Sequence, residues 1–150
     1  KQNRTMRLPN LGERPVATSR RFVAVVVECQ ERFLVRQRPA RVVNAHLWEF
    51  PNIEVAPGRD QLGAVQLQSA ARQALGFAPA RLEPLCSFKH TITRYRITLD
   101  VFRAKLAHAR KPGHLSGQWL GFIELDKLAF ASAHKKVLEL FRDARDAAQP

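Results

Sequence analysis

The sequence predicts an α/β (α+β) fold in which a mixed β-sheet is flanked by helices. The run of residues 22–27 is rich in β-branched side chains, and apolar and polar residues alternate between 95 and 104, as expected for strands. Apolar residues between 67 and 75 recur with helical spacing. Strands, helix, strands and helix follow in this order along 150 residues, which indicates a sandwich in a single domain.

The N-terminal half predicts an arm followed by extended segments. Residues 1–21 are polar and basic with scattered proline and glycine, so they predict a linker or arm. A turn near Gln30 joins the first two strands in a hairpin. The extended segments are predicted at residues 22–27, 32–38, 47–51 and 53–55.

A helix is predicted between Asp60 and Leu75 because five apolar residues fall on one helical face. Asp60 is the expected N-cap, and Gly76 suits the left-handed residue that follows a helix. The residues that share the face are Leu67, Ala70, Ala71, Ala74 and Leu75.

The C-terminal part predicts further strands and a last helix. The strands are expected at residues 85–89, 95–104 and 118–122. Ser132 is the expected N-cap of the helix. Its apolar face consists of His134, Val137, Leu138 and Phe141. We therefore expect one domain at 22–145 and a tail at 146–150.

The net charge of +12, from 25 basic and 13 acidic residues, favours a polyanionic partner, and nucleic acid is the first candidate. Most of the basic residues are arginines, which can contact phosphate with two hydrogen bonds. A merely solvated basic surface is the alternative. Lys135 and Lys136 would also suit phosphate binding. The expected phosphate contacts are Arg20, Arg21, Arg36, Arg38, Arg41 and Lys89.

The two cysteines, Cys29 and Cys86, are too few for a disulfide scaffold or a four-cysteine metal site, so we expect buried free thiols. No apolar run approaches the ~20 residues that cross a bilayer. We expect a monomeric, cytoplasmic and nucleoid-associated protein. Because the chain opens with Lys1, we also expect it to come from a longer polypeptide.

Residues 47–51, followed by Pro57-Gly58, a helix and Gly76-Phe77, resemble the frame of the Nudix fold. In active Nudix hydrolases this helix carries glutamates that hold magnesium against a diphosphate. Here Asp60 is the only acid between residues 55 and 82, so we predict neither catalytic residues nor a metal site. The alternative is a divergent nucleotide pyrophosphohydrolase with a metal bound by Glu49, Glu54 and Asp60.

Five segments in order are similar to the C-terminal domain of MutY-type adenine DNA glycosylases, over most of residues 20–142. They are residues 32–39, 47–51 and 90–95, Trp119 with 124–125, and 133–135. The resemblance implies an accessory domain that binds double-stranded DNA and recognises 8-oxoguanine opposite adenine. It also implies that an N-terminal glycosylase domain of the same polypeptide, with a 4Fe-4S cluster, releases the adenine. This chain lacks those catalytic acids and cluster cysteines, so we expect no cofactor and no excision by it alone.

The lesion-reading loop of that family carries Phe-Ser-His after His-Thr, and Ile92, Thr93 and Arg94 occupy the matching positions here. Thr93 retains a hydroxyl that suits the Hoogsteen edge of 8-oxoguanine. Ile92 can pack but cannot supply the ~1–3 kcal/mol of aromatic stacking on a base. Arg94 offers a permanent charge for phosphate. The expected DNA contacts are therefore His90, Thr91, Ile92, Thr93, Arg94 and Arg96.

Several other residues have an ordinary structural interpretation. Trp48 and Phe50 are expected in the core, and His46 and His134 are expected to be hydrogen-bonded structural groups. A third alternative for the whole chain is a protein-interaction module whose arginines bind acidic partners. Salt dependence distinguishes it from a DNA-binding domain, because phosphate contacts weaken steeply with added salt.

Overall fold

The sheet is built around β1 (Thr18–Cys29) in the computed structural model of this chain, which describes residues 16–58, 61–110 and 117–148. The five residues from Val23 to Val27 are fully buried because layers of side chains cover both faces of this strand. The strand β1 pairs in parallel with β6 (Tyr95–Lys105) and antiparallel with β2 (Arg32–Gln37) and β4 (Asn52–Val55).

The other strands extend the sheet on both sides. They are β3 (Trp48–Glu49), β5 (Glu83–Ile92) and β7 (Gly117–Gly121). The order is β3-β2-β1-β6-β5, with β4 paired to β1 and β7 paired to β2. The strand β5 runs antiparallel to β6, with an irregularity in register between Pro84 and Cys86. The predicted α/β (α+β) fold with a mixed sheet is therefore confirmed.

Two short hairpin turns shape the sheet. Gln30 and Glu31 have φ values of 51° and 64°, as a two-residue type I′ turn requires, which confirms the predicted hairpin. Residues Thr93 and Arg94 form the second turn, since Ile92 pairs directly with Tyr95.

Three helices are present in the described part of the chain: α1 (Ala64–Leu75), α2 (Phe122–Leu125) and α3 (Ser132–Ala148). The predicted Asp60 cap is wrong. The cap is Gly63, whose N–H donates to the Gln66 side chain at 3.1 Å, and Asp60 itself lies outside the described residues. Gly76 has φ 83° and ends α1, as predicted. Ser132 is the first helical residue rather than the cap, because the Ala131 carbonyl already accepts from the Lys135 N–H.

Alternate residues of β1 belong to two cores. Val23, Val25 and Val27 pack with the small buried residues of α1, whereas Ala24 and Val26 face the layer that contains α3. The core that contains α3 residues includes the buried ring of Phe50, and the half-buried Trp48 packs against it. Trp48 and Phe50 are therefore confirmed as structural. The predicted apolar faces of α1 and α3 are likewise confirmed.

Several element boundaries differ from the prediction, among them those of β5, which was predicted at residues 85–89 and spans Glu83–Ile92. The strand β1 begins at Thr18, inside the predicted arm, because pairing with β6 continues through its polar end, while residues 1–15 of that arm lie outside the described residues. Phe122, predicted as strand, begins α2. The helix α3 continues to Ala148, beyond the predicted limit at 145.

The structure also bears on the predictions for the two cysteines and for membrane-spanning segments. Both cysteines are free; Cys29 is buried as predicted, whereas Cys86 is only half-buried, and its burial raises the pKa of the thiol. Across the described ranges, no helix is both long and apolar enough to cross a membrane.

Candidate functional site

The tip of the β5–β6 hairpin is held in a fixed and unusual conformation. Thr93 has φ 52°, in the left-handed region, where a β-branched residue costs about 1–2 kcal/mol. The Arg94 carbonyl accepts a hydrogen bond from the Thr18 N–H at 2.9 Å, and Ile92 pairs with Tyr95. The first residue of β1 therefore anchors the tip against the sheet.

The hairpin directs its side chains to two different faces. Lys89 and Thr91 are exposed, and they alternate with half-buried His90 and Ile92, which face the α3 layer. Thr91 pairs across the strands with Arg96, which is also exposed. The eight-residue stretch of predicted contacts is therefore not one surface. Its exposed face presents Lys89, Thr91 and Arg96, and the tip presents Thr93 and Arg94.

His90 occupies the less accessible face. Its Nδ1 is buried and has no hydrogen-bond partner within the described residues. Burial lowers the pKa of His90, and the positive charge of Lys136 lowers it further, so the imidazole is neutral near pH 7. The Lys136 Nζ lies 6.0 Å from the centroid of the Phe88 ring. This arrangement makes His90 a packing group between β5 and α3 rather than a cation on the hairpin surface.

The exposed cations of the hairpin form no ion pair with a described residue, and Asp100, the diagonal neighbour of Lys89 on the same face, is already bound by Arg21 and Ser87. Lys89, Arg94 and Arg96 are exposed and form no ion pair with any described residue. The sequence from 89 to 98 contains no acidic residue. The hairpin therefore presents uncompensated positive charge to solvent, which is the requirement for binding an anion.

Arg20 and Arg21, two of the predicted phosphate contacts, are paired with carboxylates. Arg20 forms two hydrogen bonds with Glu54, at 2.8 and 2.6 Å, and its guanidinium lies 5.0 Å from the Tyr95 ring centroid. The hydrogen bond from Arg20 lowers the pKa of Glu54 despite partial burial. Arg21 contacts Asp100 at 2.6 Å. These pairs join β1 to β4 and β6.

Arg36 and Arg38, two more predicted contacts, enclose the buried carboxylate of Glu49. Arg36 Nε donates to one Glu49 oxygen at 2.9 Å and Arg38 donates to the other at 2.8 Å. Burial raises the pKa of Glu49, but the hydrogen bond from Arg38 and the charge of Arg36 outweigh it, so the net pKa is lowered. The nearby His134 accepts from the Phe50 N–H at 3.1 Å, which confirms its structural role. Burial lowers the pKa of His134 to about 4.

We call residues 38–47, which connect β2 and β3, the β2–β3 loop. The Arg38 side chain donates to the Val43 carbonyl at 2.9 Å, and backbone hydrogen bonds join Arg38 to His46 and Leu47. The tip exposes 41% of Val42 and 68% of Val43. Three non-glycine residues of this loop have positive φ, namely Arg41 at 72°, Asn44 at 59° and His46 at 67°. A left-handed backbone costs about 1–2 kcal/mol for most residues, and these hydrogen bonds offset part of that cost.

The alternative metal site has little chemical basis in this geometry. Both oxygens of Glu49 are bound by arginines, and both oxygens of Glu54 are bound by Arg20, while Asp60 lies outside the described residues. Within residues 16–58, 61–110 and 117–148, no three His, Cys, Asp or Glu side chains are grouped closely enough to hold a metal ion.

Sequence reasoning missed the carboxylate partners and the β2–β3 loop. A lone acid inside the apolar run 47–51 is a signal for a buried, paired carboxylate, and Glu49 stands there. Two adjacent valines within a polar segment, at 42 and 43, are a signal for an exposed apolar tip. Of the predicted phosphate contacts on β1, β2 and the following loop, only Arg41 is exposed without a partner among the described residues.

Comparison with known proteins gives consistent matches over most of the chain. The NUDIX domain family model matches residues 22–140. The adenine DNA glycosylase of Mus musculus is 29% identical over 116 residues, which cover 75% of this chain and 22% of the mouse protein. The chain therefore spans about a fifth of the length of that relative.

Two solved structures above 25% identity share the fold. The C-terminal domain of mouse MUTYH, determined in complex with human PCNA, matches with a TM-score of 0.68 at 28% identity, covering 85% of this chain and 90% of that one. The E. coli ORF135 protein matches with a TM-score of 0.68 at 26% identity, covering 88% of this chain and 94% of that one.

Proposed function

The chain belongs to the Nudix domain family, and from this premise we propose that it is the accessory, DNA-binding domain of an adenine DNA glycosylase. Its resemblance to adenine DNA glycosylases, and to the C-terminal domain of one of them, is confirmed over most of its length. A role in DNA repair is supported by this homology. The uncompensated charge of the β5–β6 hairpin is the observation on which the DNA contact rests.

The exposed face of the hairpin suits a phosphate backbone. Thr91 pairs with Arg96 and Lys89 pairs with Thr98, so Lys89 and Arg96 are diagonal neighbours on the same face. Such neighbours lie about 7–8 Å apart, within reach of one another's long side chains. We assign Lys89, Arg94 and Arg96 to phosphates of the lesion-bearing strand and Thr91 to a supporting hydrogen bond.

Thr93 is the proposed reader of the lesion. At its Hoogsteen edge 8-oxoguanine presents an N–H donor where guanine has the N7 acceptor. A hydroxyl both donates and accepts, so Thr93 contacts either base, and the discrimination it provides alone is small.

The paired arginines of β1 and β2 are not part of this proposed surface. Arg20, Arg21, Arg36 and Arg38 stabilise the sheet through Glu54, Asp100 and Glu49. Arg41 stays a proposed phosphate contact. Following the resemblance to MutY-type glycosylases, we propose that the adenine-releasing chemistry and a 4Fe-4S cluster belong to an N-terminal domain of the same polypeptide; this chain corresponds to 22% of the mouse relative.

The test is equilibrium binding of the chain to matched duplexes with 8-oxoguanine or guanine opposite adenine. We expect Lys89→Gln/Arg96→Gln to weaken binding to both duplexes and to reduce the slope of log affinity against log salt by about 0.9 for each phosphate that is no longer neutralised. We expect Thr93→Ala to bring the two affinities together, without the fall in overall affinity that follows removal of the cations.

The control is Arg32→Gln/Arg72→Gln, which removes the same charge from two exposed arginines outside the hairpin. An equal reduction of affinity in this control would show that net charge rather than the hairpin binds DNA. Affinity that is insensitive to salt would instead favour a protein-interaction module.

A further inference from the structure

We propose that the β2–β3 loop is a second DNA-contacting element, in which Val42 and Val43 wedge into the base stack while Arg41 holds the adjacent phosphate. This inference deepens the proposed function and rests on it. The loop has no part in the 8-oxoguanine reading assigned to the hairpin.

The topology places the loop and the hairpin at the same end of the molecule. Thr18, the first residue of β1, pairs with Tyr95 beside the hairpin tip. The strand β2 runs antiparallel to β1, so its last residue, Gln37, points the β2–β3 loop toward the end at which β1 begins. The strand β2 pairs with β1 only at residues 28–29, at the end of β1 away from the hairpin tip, and β4 pairs with β1 at residues 21–24, nearer the tip. Both elements therefore project in the same direction along the sheet, and we propose that one duplex contacts both.

The conformation of the loop exposes its valines instead of burying them. Backbone hydrogen bonds close its base, and the Arg38 guanidinium joins the Val43 carbonyl to the buried Glu49. Val42 and Val43 remain 41% and 68% exposed on this hydrogen-bonded support. Proteins that bind the minor groove insert apolar side chains between base steps, and this is the role that we propose for the two valines.

The charge of this end favours DNA over a protein partner. The loop sequence contains no acidic residue, and neither does the hairpin from 89 to 98. Arg41 is exposed beside the valines, and Arg94 and Arg96 are exposed on the hairpin. The carboxylates of Glu49 and Glu54, on the strands that follow the loop, are already bound to arginines. A polyanion with an apolar interior between its base pairs complements both features.

The experiment uses the chain and a duplex of about two helical turns, ~20 base pairs, that carries an 8-oxoguanine opposite adenine. A single 2-aminopurine is moved along the duplex, because unstacking of this base raises its fluorescence. With the wild-type chain we expect a fluorescence increase at one position beside the lesion. Val42→Ser/Val43→Ser is expected to abolish this increase and to weaken binding about tenfold, which corresponds to about 1.4 kcal/mol.

Val65→Ser is the matched control, because this valine is 83% exposed in α1 and outside both DNA-contacting elements. It should change neither the fluorescence nor the affinity. Thermal unfolding should show that the serine variants fold like the wild type. An unchanged fluorescence increase in the double serine variant overturns the wedge.

The two proposals fail in different ways. If Lys89→Gln/Arg96→Gln weakens binding while Val42→Ser/Val43→Ser leaves the fluorescence increase intact, the hairpin stands and the wedge is wrong. If only the valine variant binds more weakly, the loop stands and the hairpin assignment is wrong. If the wild-type chain binds no duplex, both are wrong.

Discussion

The arginines of β1 and β2 and the cations of the β5–β6 hairpin have the same chemistry but opposite surroundings. Arg36 and Arg38 share the two oxygens of a carboxylate that is 2% exposed. Arg94 and Arg96 are exposed and have no carboxylate partner among the described residues. The first group joins strands to one another, and the second is available to a ligand.

This difference in pairing shows that, in a basic protein, the positions of the acids indicate which basic residues are available to a ligand. An ion pair that is removed from water stabilises the fold only while both partners are present. To bind DNA, the arginine of such a pair would have to exchange a well-placed carboxylate for a phosphate. A cation without such a partner gives up nothing of this kind on binding a phosphate, which is why we propose the hairpin as the DNA contact despite its smaller number of charges.

The largest expected effect comes from breaking the buried cluster. Glu49→Ala leaves Arg36 and Arg38 half-buried and unpaired, which costs about 3 kcal/mol of unfolding free energy, the low end for a buried pair because both guanidinium groups are partly exposed. Urea unfolding measures this change.

Glu54→Ala is the matched control for a surface pair. The side chains of Arg20 and Glu54 are 37% and 42% exposed, so solvent screening reduces the expected cost to less than about 1 kcal/mol. Equal destabilisation by the two variants would contradict the distinction between a buried cluster and a surface pair.

The second expected effect is acid destabilisation through His134. The folded pKa is about 4, whereas an unfolded histidine titrates near 6.5, so only the unfolded chain takes up this proton between those values. Stability is complete above pH 6.5 and falls as the pH decreases toward 4, by about 2 kcal/mol at pH 4.5. The lowered pKa values of His90, Glu49 and Glu54 act in the same direction. Those of the two glutamates contribute only as the pH approaches and passes below the ordinary pKa of a glutamate.

Unfolding free energies at pH 7 and pH 4.5 measure this dependence. The variant His134→Gln shows how much of it comes from His134. Glutamine has no proton to gain in this range and keeps an acceptor for the Phe50 N–H. The difference in unfolding free energy between the two pH values should therefore shrink to what His90, Glu49 and Glu54 contribute. An undiminished difference would assign the acid sensitivity to other groups.

The fold was predictable because its signals are local. The buried run 23–27 and the apolar face of α1 are visible in short windows of sequence. The start of β1 at Thr18 was not, because its polar residues are held by pairing with β6, almost 80 residues away: Arg21 and Asp100 differ by 79 positions. The brief helix α2 was missed because four residues carry too little periodicity.

The candidate site was predictable only in part. The segments that resemble the C-terminal domain of MutY-type glycosylases located the hairpin. They did not show that its residues divide between two faces or that His90 packs against the α3 layer. The pairing of Arg20 with Glu54, 34 residues apart, depends on strand order and has no local signature. Composition thus established that the chain is basic, whereas long-range pairing decided which arginines remain available.

The smallest expected effect concerns the tip of the β5–β6 hairpin, which has a strained backbone at Thr93 and no ion pair with a described residue. Thr93 is held at φ 52°, and asparagine adopts this region more easily than a β-branched residue. Thr93→Asn should therefore raise the unfolding free energy by about 0.5–1 kcal/mol. Thr91→Asn is the control, because Thr91 lies in β5 and asparagine disfavours strands, so it should lower stability slightly. If Thr93→Asn also destabilised the chain, the left-handed turn would not be strained, and the hairpin would differ from the arginine-paired strands in charge alone.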